Sequence, residues 1–375
     1  MLASASGEPR IGPRGSFPLH AKINMEAPRC TQLSTGTRSL PAEAPQRWGI
    51  IGLGSQANGI ARALESLPGV ELAGCLSSTR ERTEEFAGNH DCVPYHTHEA
   101  FFGAGFDIVA VAGVNAEHAK HCVAALQAGS AVLCEKPFTL RRADAARVLE
   151  VAAVAARPVY VGYHYRFRVL ALELRAMVRR GEIGEVRDIH MQRTSEQVTG
   201  AVQPWRHDLA RAGAGVMCDV GVHLVDFVTW LTDRSVSSVA AVATPPRSSG
   251  TPDEHIVVSL ELDNGALATL DAARSLPNGD NSLQIHGTEG SLITGPLRWV
   301  DHMQVELRRG KGEPRMLRSP VNAPLVDEVA AVRDALRGIT SERLATGDDG
   351  LAGSTVLETT IEALSTGTRI TLSAK

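Results

Sequence analysis

From Arg47 onward the chain alternates short apolar runs with stretches whose apolar residues recur every three or four positions. WGIIGLG reads as a strand entering a glycine turn, and QANGIARALESL places Ile60, Ala63, Leu64 and Leu67 at helical spacing. The rhythm continues through VELAGCLS and TRERTEEFAG, DCVPY and THEAFFG, DIVAVAG and AEHAKHCVAALQAG, AVLCE and RRADAARVLEVAAVAA, and ends on PVYVGYH. Such strands are too apolar for a solvated face. They predict a doubly wound parallel sheet of six strands, covered by helices on both sides, over residues 47–163.

After Tyr163 the pattern changes. LALELRAMVRRGEIG reads as a helix, and EVRDIHMQRTSE, SVSSVAAVAT, EHIVVSLELDNGALATLDAAR, SLQIHGTEGSLIT and HMQVELRR read as strands on short turns. Asn264-Gly265 suits the tight turn of a hairpin. Residues 164–375 are therefore expected to form an α+β domain with a large, open-faced, mostly antiparallel sheet. Helices near 215–232, 323–337 and 349–365 should cover one face, and the other is a candidate surface for a homodimer or homotetramer. Residues 1–46 are rich in Gly, Pro, Ser and Arg without periodicity, and read as a disordered extension.

The 375 residues are 43% hydrophobic and 21% charged, a globular composition. A net charge of −4 and only 4% aromatics argue against nucleic acid as a partner. No apolar run approaches the roughly 20 residues of a membrane span. Cys30, Cys75, Cys92, Cys122, Cys134 and Cys218 form neither CxxC pairs nor a metal cluster. They read as small buried hydrophobes in a reducing, cytoplasmic compartment, and no metal site is expected.

GLGSQA sets Gly52, Gly54 and Ala57 at the spacing of a dinucleotide turn, with Ser55 and Gln56 between them. The first glycine allows the tight turn, the second lets a pyrophosphate approach the backbone, and the third position needs only a small residue. The phosphates then meet the amides of the helix start. The second strand ends in LSSTRER, without the acid that would accept from an NAD ribose. Ser77, Ser78 and Arg80 could instead bind a 2′-phosphate, which favours NADP over NAD.

The fifth strand ends on Glu135, Lys136 and Pro137, at the carboxyl edge where such sheets bind ligands. An ammonium there can meet a substrate oxygen beside a nicotinamide. Further on, CDVGVHLVDF spaces Asp219, His223 and Asp226 for one face of a helix. A hydride transfer from a secondary alcohol needs a proton acceptor, and histidine suits that role near neutral pH. Lys136 would stabilise the developing charge on oxygen, Asp219 would hold the substrate, and Asp226 could orient His223.

The series GLGSQA, NAEHAKHCVAALQAGSAVLCEKPF, VGYHYRF and GVMCDVGVHLVD resembles the Gfo/Idh/MocA family of oxidoreductases over nearly all of residues 47–373. The resemblance implies an N-terminal Rossmann domain, a C-terminal open-faced domain and NAD(P)-dependent chemistry on the hydroxyl or keto carbons of sugars, inositols and related polyols. It makes Lys136 the lysine that meets both cofactor and reacting oxygen, with Glu135 at the cofactor edge and Asp219 and His223 as the catalytic pair. Asn115 and His118 are placed near the cofactor, and His164, Arg166, Trp205 and Arg206 along the substrate wall. Two segments depart from the family pattern. GVN stands after the fourth strand, and HYRF after the sixth carries His164 and Tyr165 in place of the usual residues. Two alternatives stay open: a relative using tightly held NAD transiently in non-redox sugar chemistry, and a non-catalytic NAD(P)-sensing protein.

Overall fold

The structure is a computed structural model and describes residues 44–195, 204–274, 276, 281–294, 302–320 and 322–372. The expected N-terminal extension lies, up to residue 43, outside the described residues. The described residues all belong to one compact unit.

The first half is built by parallel strands β1 (Gln46–Ile51), β2 (Val70–Leu76), β3 (Val93–Pro94), β4 (Ile108–Val111), β5 (Ala131–Cys134) and β6 (Val159–Val161). They stand in the order β6-β5-β4-β1-β2-β3, so the chain reverses direction between β1 and β4. Ligands bind at that switch point in doubly wound folds. Every residue of β4 and β5 is buried, as strands covered on both faces must be. Helices α1 (Ser55–Glu65), α2 (Arg80–His90), α3 (His98–Phe102), α4 (His118–Gln127) and α5 (Arg142–Ala155) connect them.

The second half begins with α6 (Ala171–Arg179) and β7 (Val186–Thr194). A helical run then passes through α7 (Leu209–Ala212), a π-helical turn at Met217–Gly221 and α8 (Val222–Thr232). Strands β8 (Val236–Thr244), β9 (His255–Leu262), β10 (Leu267–Ala273), β11 (Asn281–Gly287), β12 (Gly290–Thr294), β13 (His302–Arg309) and β14 (Arg315–Pro320) follow. With β16 (Ile370–Thr371) they form a nine-stranded sheet in the order β14-β13-β12-β11-β7-β10-β9-β8-β16. Only β7 and β10 pair in parallel. Burial alternates along β9, with Ile256, Val258, Leu260 and Leu262 turned inward, so one face is packed and the other wet.

Helix α8 and the long α10 (Gly347–Thr366) pack against that sheet. Helix α9 (Pro324–Ala335) packs on α1, and β15 (Ala345–Thr346) adds an antiparallel seventh strand beside β6. The chain after residue 321 thus returns to the first sheet, which the strand pattern alone did not reveal. Gly350 and Gly353 let α10 press against Phe138, Val161 and Tyr163, where a Cβ would come within 2.7 Å of these side chains. The expectation that no apolar run reaches membrane-spanning length needs correction. Leu209–Thr232 qualifies by length and composition, but 83% of its most apolar window is buried inside the protein, which makes it a core helix.

Candidate active site

The cofactor half of the site starts at the glycine turn. Gly52 adopts φ +86°, and a Cβ there would lie 2.2 Å from the Gly113 Cα, so only glycine lets the β1 turn meet the loop after β4. Gly54 caps α1 without a side-chain hydrogen bond, and a Cβ on it would meet nothing within 4 Å. The first amides of α1 therefore face open space, with no acid in the first turn to repel a phosphate. Ala57 is fully buried and packs the helix onto the sheet.

At the end of β2, the Ser77 amide donates to the Thr83 hydroxyl and Thr79 caps α2. Arg80 is exposed and pairs with Glu84 at 3.6 Å, an ion pair weak enough to exchange for a ligand. Across the cleft, the Gln56 amide donates to Glu135 at 3.4 Å. Burial pushes the Glu135 carboxyl up, and its Oε2 has no hydrogen-bond partner. An unsatisfied acceptor at the sheet edge, together with open helix amides and a glycine cradle, fits a nicotinamide dinucleotide.

The substrate half is carried by the helical run 209–232. Its turn is fixed by Asp253, whose carboxylate accepts from the amides of Gly215 at 2.7 Å and Met217 at 2.8 Å. Gly215 is required there, because a Cβ would strike the Asp253 carbonyl. This capping aims Asp219 at Lys136. The Lys136 ammonium donates to the Asp219 carbonyl at 2.6 Å and to its carboxylate at 3.1 Å, and the bond to Pro137 is cis. Arg206 donates to the same carboxylate at 3.2 Å, with its guanidinium over the Trp205 ring, and Arg274 stands 4.0 Å away. Burial alone would raise the Asp219 pKa, but Lys136, Arg206 and Arg274 together hold it well below the usual range. The carboxylate is ionised at any working pH.

His223 is buried, with its ring stacked on Tyr165 at 4.4 Å and edge-on to His164 at 4.5 Å. Its Nδ1 has no partner. Burial, then His164, Lys136, Arg168 and Arg193, push its pKa well down. His164 is pushed down to about 3 by burial, Arg168 and Lys136. Both imidazoles are neutral, as a proton acceptor must be.

Four of the expected residues have partners within the protein. His118 is 1% exposed and wedged between the carbonyls of Pro137 at 2.8 Å and Gly113 at 3.3 Å. Asn115 donates to the Ala212 carbonyl at 2.9 Å, so its amide ties the two halves together. Arg166 is committed to two carboxylates. It grips Asp226 through two hydrogen bonds, at 2.9 and 2.5 Å, and reaches Asp349 at 3.0 Å, with 3% of its side chain exposed. Asp226 accordingly holds Arg166 and does not orient His223. The reason is that Arg166 occupies both oxygens of the Asp226 carboxylate.

Sequence reasoning missed Arg274, Asp253 and Glu328. Arg274 carries the same signal as Lys136, a charge directly after an apolar strand. Asp253 gave none, because a helix cap contributed from a distant loop has no local pattern. Glu328 on α9 is fully buried, with Oε2 unpartnered, and burial and nearby Glu135 push its pKa well up. Among the described residues no cluster of three metal-ligating side chains occurs.

Residues 46–163 match the oxidoreductase family model with NAD-binding Rossmann fold, and residues 171–293 match the GFO/IDH/MocA C-terminal domain. The chain belongs to the GFO/IDH/MocA family of oxidoreductases. It is 26% identical over 328 residues to 1,5-anhydro-D-fructose reductase of Ensifer adhaerens, spanning 86% of this chain and 97% of that one. Aldose-aldose oxidoreductase from Caulobacter crescentus, complexed with glycerol, superposes with a TM-score of 0.76 at 25% identity, over 88% of this chain and all of that one. An inositol dehydrogenase homolog from Azotobacter vinelandii, complexed with NADH and myo-inositol, has the same fold at a TM-score of 0.76 and 20% identity, over 88% and 98% of the two chains. This GFO/IDH/MocA oxidoreductase thus joins an NAD-binding domain to a second domain whose helix carries the polar pair facing Lys136.

Proposed function

We propose that this oxidoreductase transfers hydride between a nicotinamide cofactor and a hydroxyl or keto carbon of a sugar, inositol or related polyol. The observation that carries the reading is the Lys136 ammonium, brought from the end of β5 onto Asp219 of the other domain. The substrates named for the relatives, anhydrofructose and inositol among them, support the substrate class.

Bound at the glycine turn, the dinucleotide supplies the hydride acceptor or donor. Lys136 draws charge from the reacting oxygen and favours loss of its proton. Neutral His223 takes that proton during oxidation and returns it during reduction. Asp219, fixed by Lys136 and Arg206, accepts a hydrogen bond from a substrate hydroxyl and sets the carbinol carbon in line. Tyr165, flat against the imidazole, keeps the His223 ring in one orientation and excludes water from that face.

Ser77, Ser78 and Arg80 favour NADP over NAD. The free thiols of Cys75, Cys122, Cys134 and Cys218 support a reducing cytoplasmic location. The wet face of the second sheet, where Asp271 links His255 and Gln192, supports self-association as a dimer or tetramer. Fluorescence titration with NADPH and NADH, followed by a panel of sugars and inositols read at the nicotinamide absorbance, tests the reading. We expect tighter binding of NADPH and turnover of at least one CH-OH substrate. Binding of neither nucleotide would contradict it.

A further inference from the structure

Two residues of α1 are odd choices for a helix. Asn58 lies early in it, although asparagine is a poor helix former, and Glu65 ends it, where a negative charge opposes the helix dipole. Both side chains converge on His90, the last residue of α2. The His90 Nδ1 lies 2.6 Å from the Glu65 carboxylate, and its Nε2 lies 2.9 Å from the Asn58 side-chain oxygen. Only 6% of the His90 side chain is exposed, and its ring centre is 4.5 Å from that of buried Phe86.

The orientation of Asn58 is fixed from its other end. Its NH2 donates to the Gly54 carbonyl at 2.9 Å, and a carbonyl can only accept. The Asn58 oxygen therefore faces His90. Glu65 accepts as well, so both nitrogens of His90 donate and the ring carries both protons. A cation in the last turn of α2 is also favoured by that helix's dipole.

The Gly54 carbonyl matters because of what it is bonded to. It shares one planar trans peptide with the Ser55 amide, and the two groups point in opposite directions. Ser55 opens α1, so its N–H is among the free amides that meet a pyrophosphate. Drawing the carbonyl back along the helix aims this N–H out of the helix start. Gly54 has open space around it and caps α1 without a side chain, so packing does not hold its peptide. The Asn58 amide does.

We propose that His90 is a positioning residue of the cofactor site. Anchored by Glu65, it orients Asn58, which locks the Gly54 carbonyl and so aims the Ser55 amide at the pyrophosphate of the dinucleotide. The inference concerns cofactor binding alone and stands whatever the substrate. NAD and NADP share the pyrophosphate, so it applies to both, unlike a preference set at the ribose by Ser77, Ser78 and Arg80.

The test is fluorescence titration of the full-length protein with NADH and with NADPH, beside urea unfolding to separate affinity from stability. His90→Phe keeps a flat ring against Phe86 but donates nothing to Asn58. It should raise both dissociation constants about 5-fold, the worth of one hydrogen bond. Asn58→Ala should weaken both nucleotides to a similar degree. The double variant should bind no more weakly than Asn58→Ala, because His90 acts only through Asn58. If His90→Phe does not fold, Glu65→Ala, at a half-exposed position, takes its place in the cycle. A mere stitch between α1 and α2 would lower stability and leave affinity unchanged, which overturns the proposal. It is equally overturned if only one of the two nucleotides loses affinity, or if the two losses multiply in the double variant.

Discussion

Asp219 and Asp226 lie two turns apart on one helical run, and each is gripped by a cation, yet the two pairs serve different ends. Asp219 is 27% exposed and meets Lys136, Arg206 and Arg274, so three positive charges overcome its burial and it stays ionised. Asp226 is 3% exposed, and burial outweighs the attraction of Arg166, which pushes its pKa up to about 6. A carboxylate that remains charged at the mouth of a cleft can act on a ligand. One that is dry and locked to Arg166, which also holds Asp349, can only join β6, α8 and α10. Sequence spacing makes the two look equivalent, and desolvation separates them.

The largest separation is expected from matched substitutions. Asp226→Asn leaves Arg166 with only Asp349 in a dry environment and should cost about 3 kcal/mol or more of stability, read by urea unfolding. Asp219→Asn, at a side chain 27% exposed, should cost less stability than Asp226→Asn and lower kcat about 100-fold. If Asp226→Asn left stability intact while abolishing turnover, the division between the two aspartates would collapse.

A smaller effect concerns pH. His223 is held well below its ordinary pKa of 6.5, so it remains an unprotonated acceptor as pH falls through that value. The oxidative kcat/KM should therefore show no loss near 6.5 and decline only in more acidic solution. A loss centred on 6.5 would place His223 in water and break its link to Lys136, Arg168 and Arg193.

Glu328 gives the smallest and sharpest test of the desolvation argument. Its carboxyl is raised well above 4.5 in the folded protein, so the folded state holds that proton more tightly than the unfolded chain does. Stability from this group is complete below 4.5 and is lost as pH rises toward the folded value. Glu328→Gln should raise stability at pH 8 by about 1–3 kcal/mol, a gain that vanishes below pH 4.5. A gain of equal size at both pH values would show that charge is not the cause.

The comparison also shows what a linear sequence can disclose. The six parallel strands of the first sheet and the helices expected near 215–232, 323–337 and 349–365 were legible from local patterns of apolar residues. Lys136 was legible because a charge ending a buried strand conflicts with its surroundings. What escaped depends on encounters between distant segments. The strand β15 is two residues long and has meaning only beside Tyr160 and Val161. The partners of Arg166 and His118 lie far off in the sequence, as does the Asp219 that Arg274 approaches. The π-turn at Met217–Gly221 is the clearest case. Its effect is rotational, and no alternation of apolar and polar residues announces it.

The central claim is that Lys136 and His223 act together on one substrate oxygen, and a double-mutant cycle on the hydride-transfer step tests it most directly. Single-turnover rates would be measured for the native protein, Lys136→Met, His223→Asn and the double variant. Groups that serve the same proton removal should be strongly non-additive, so the double variant should be about as slow as the slower single one. Full multiplication of the two losses, or an undiminished rate in Lys136→Met, would contradict the account.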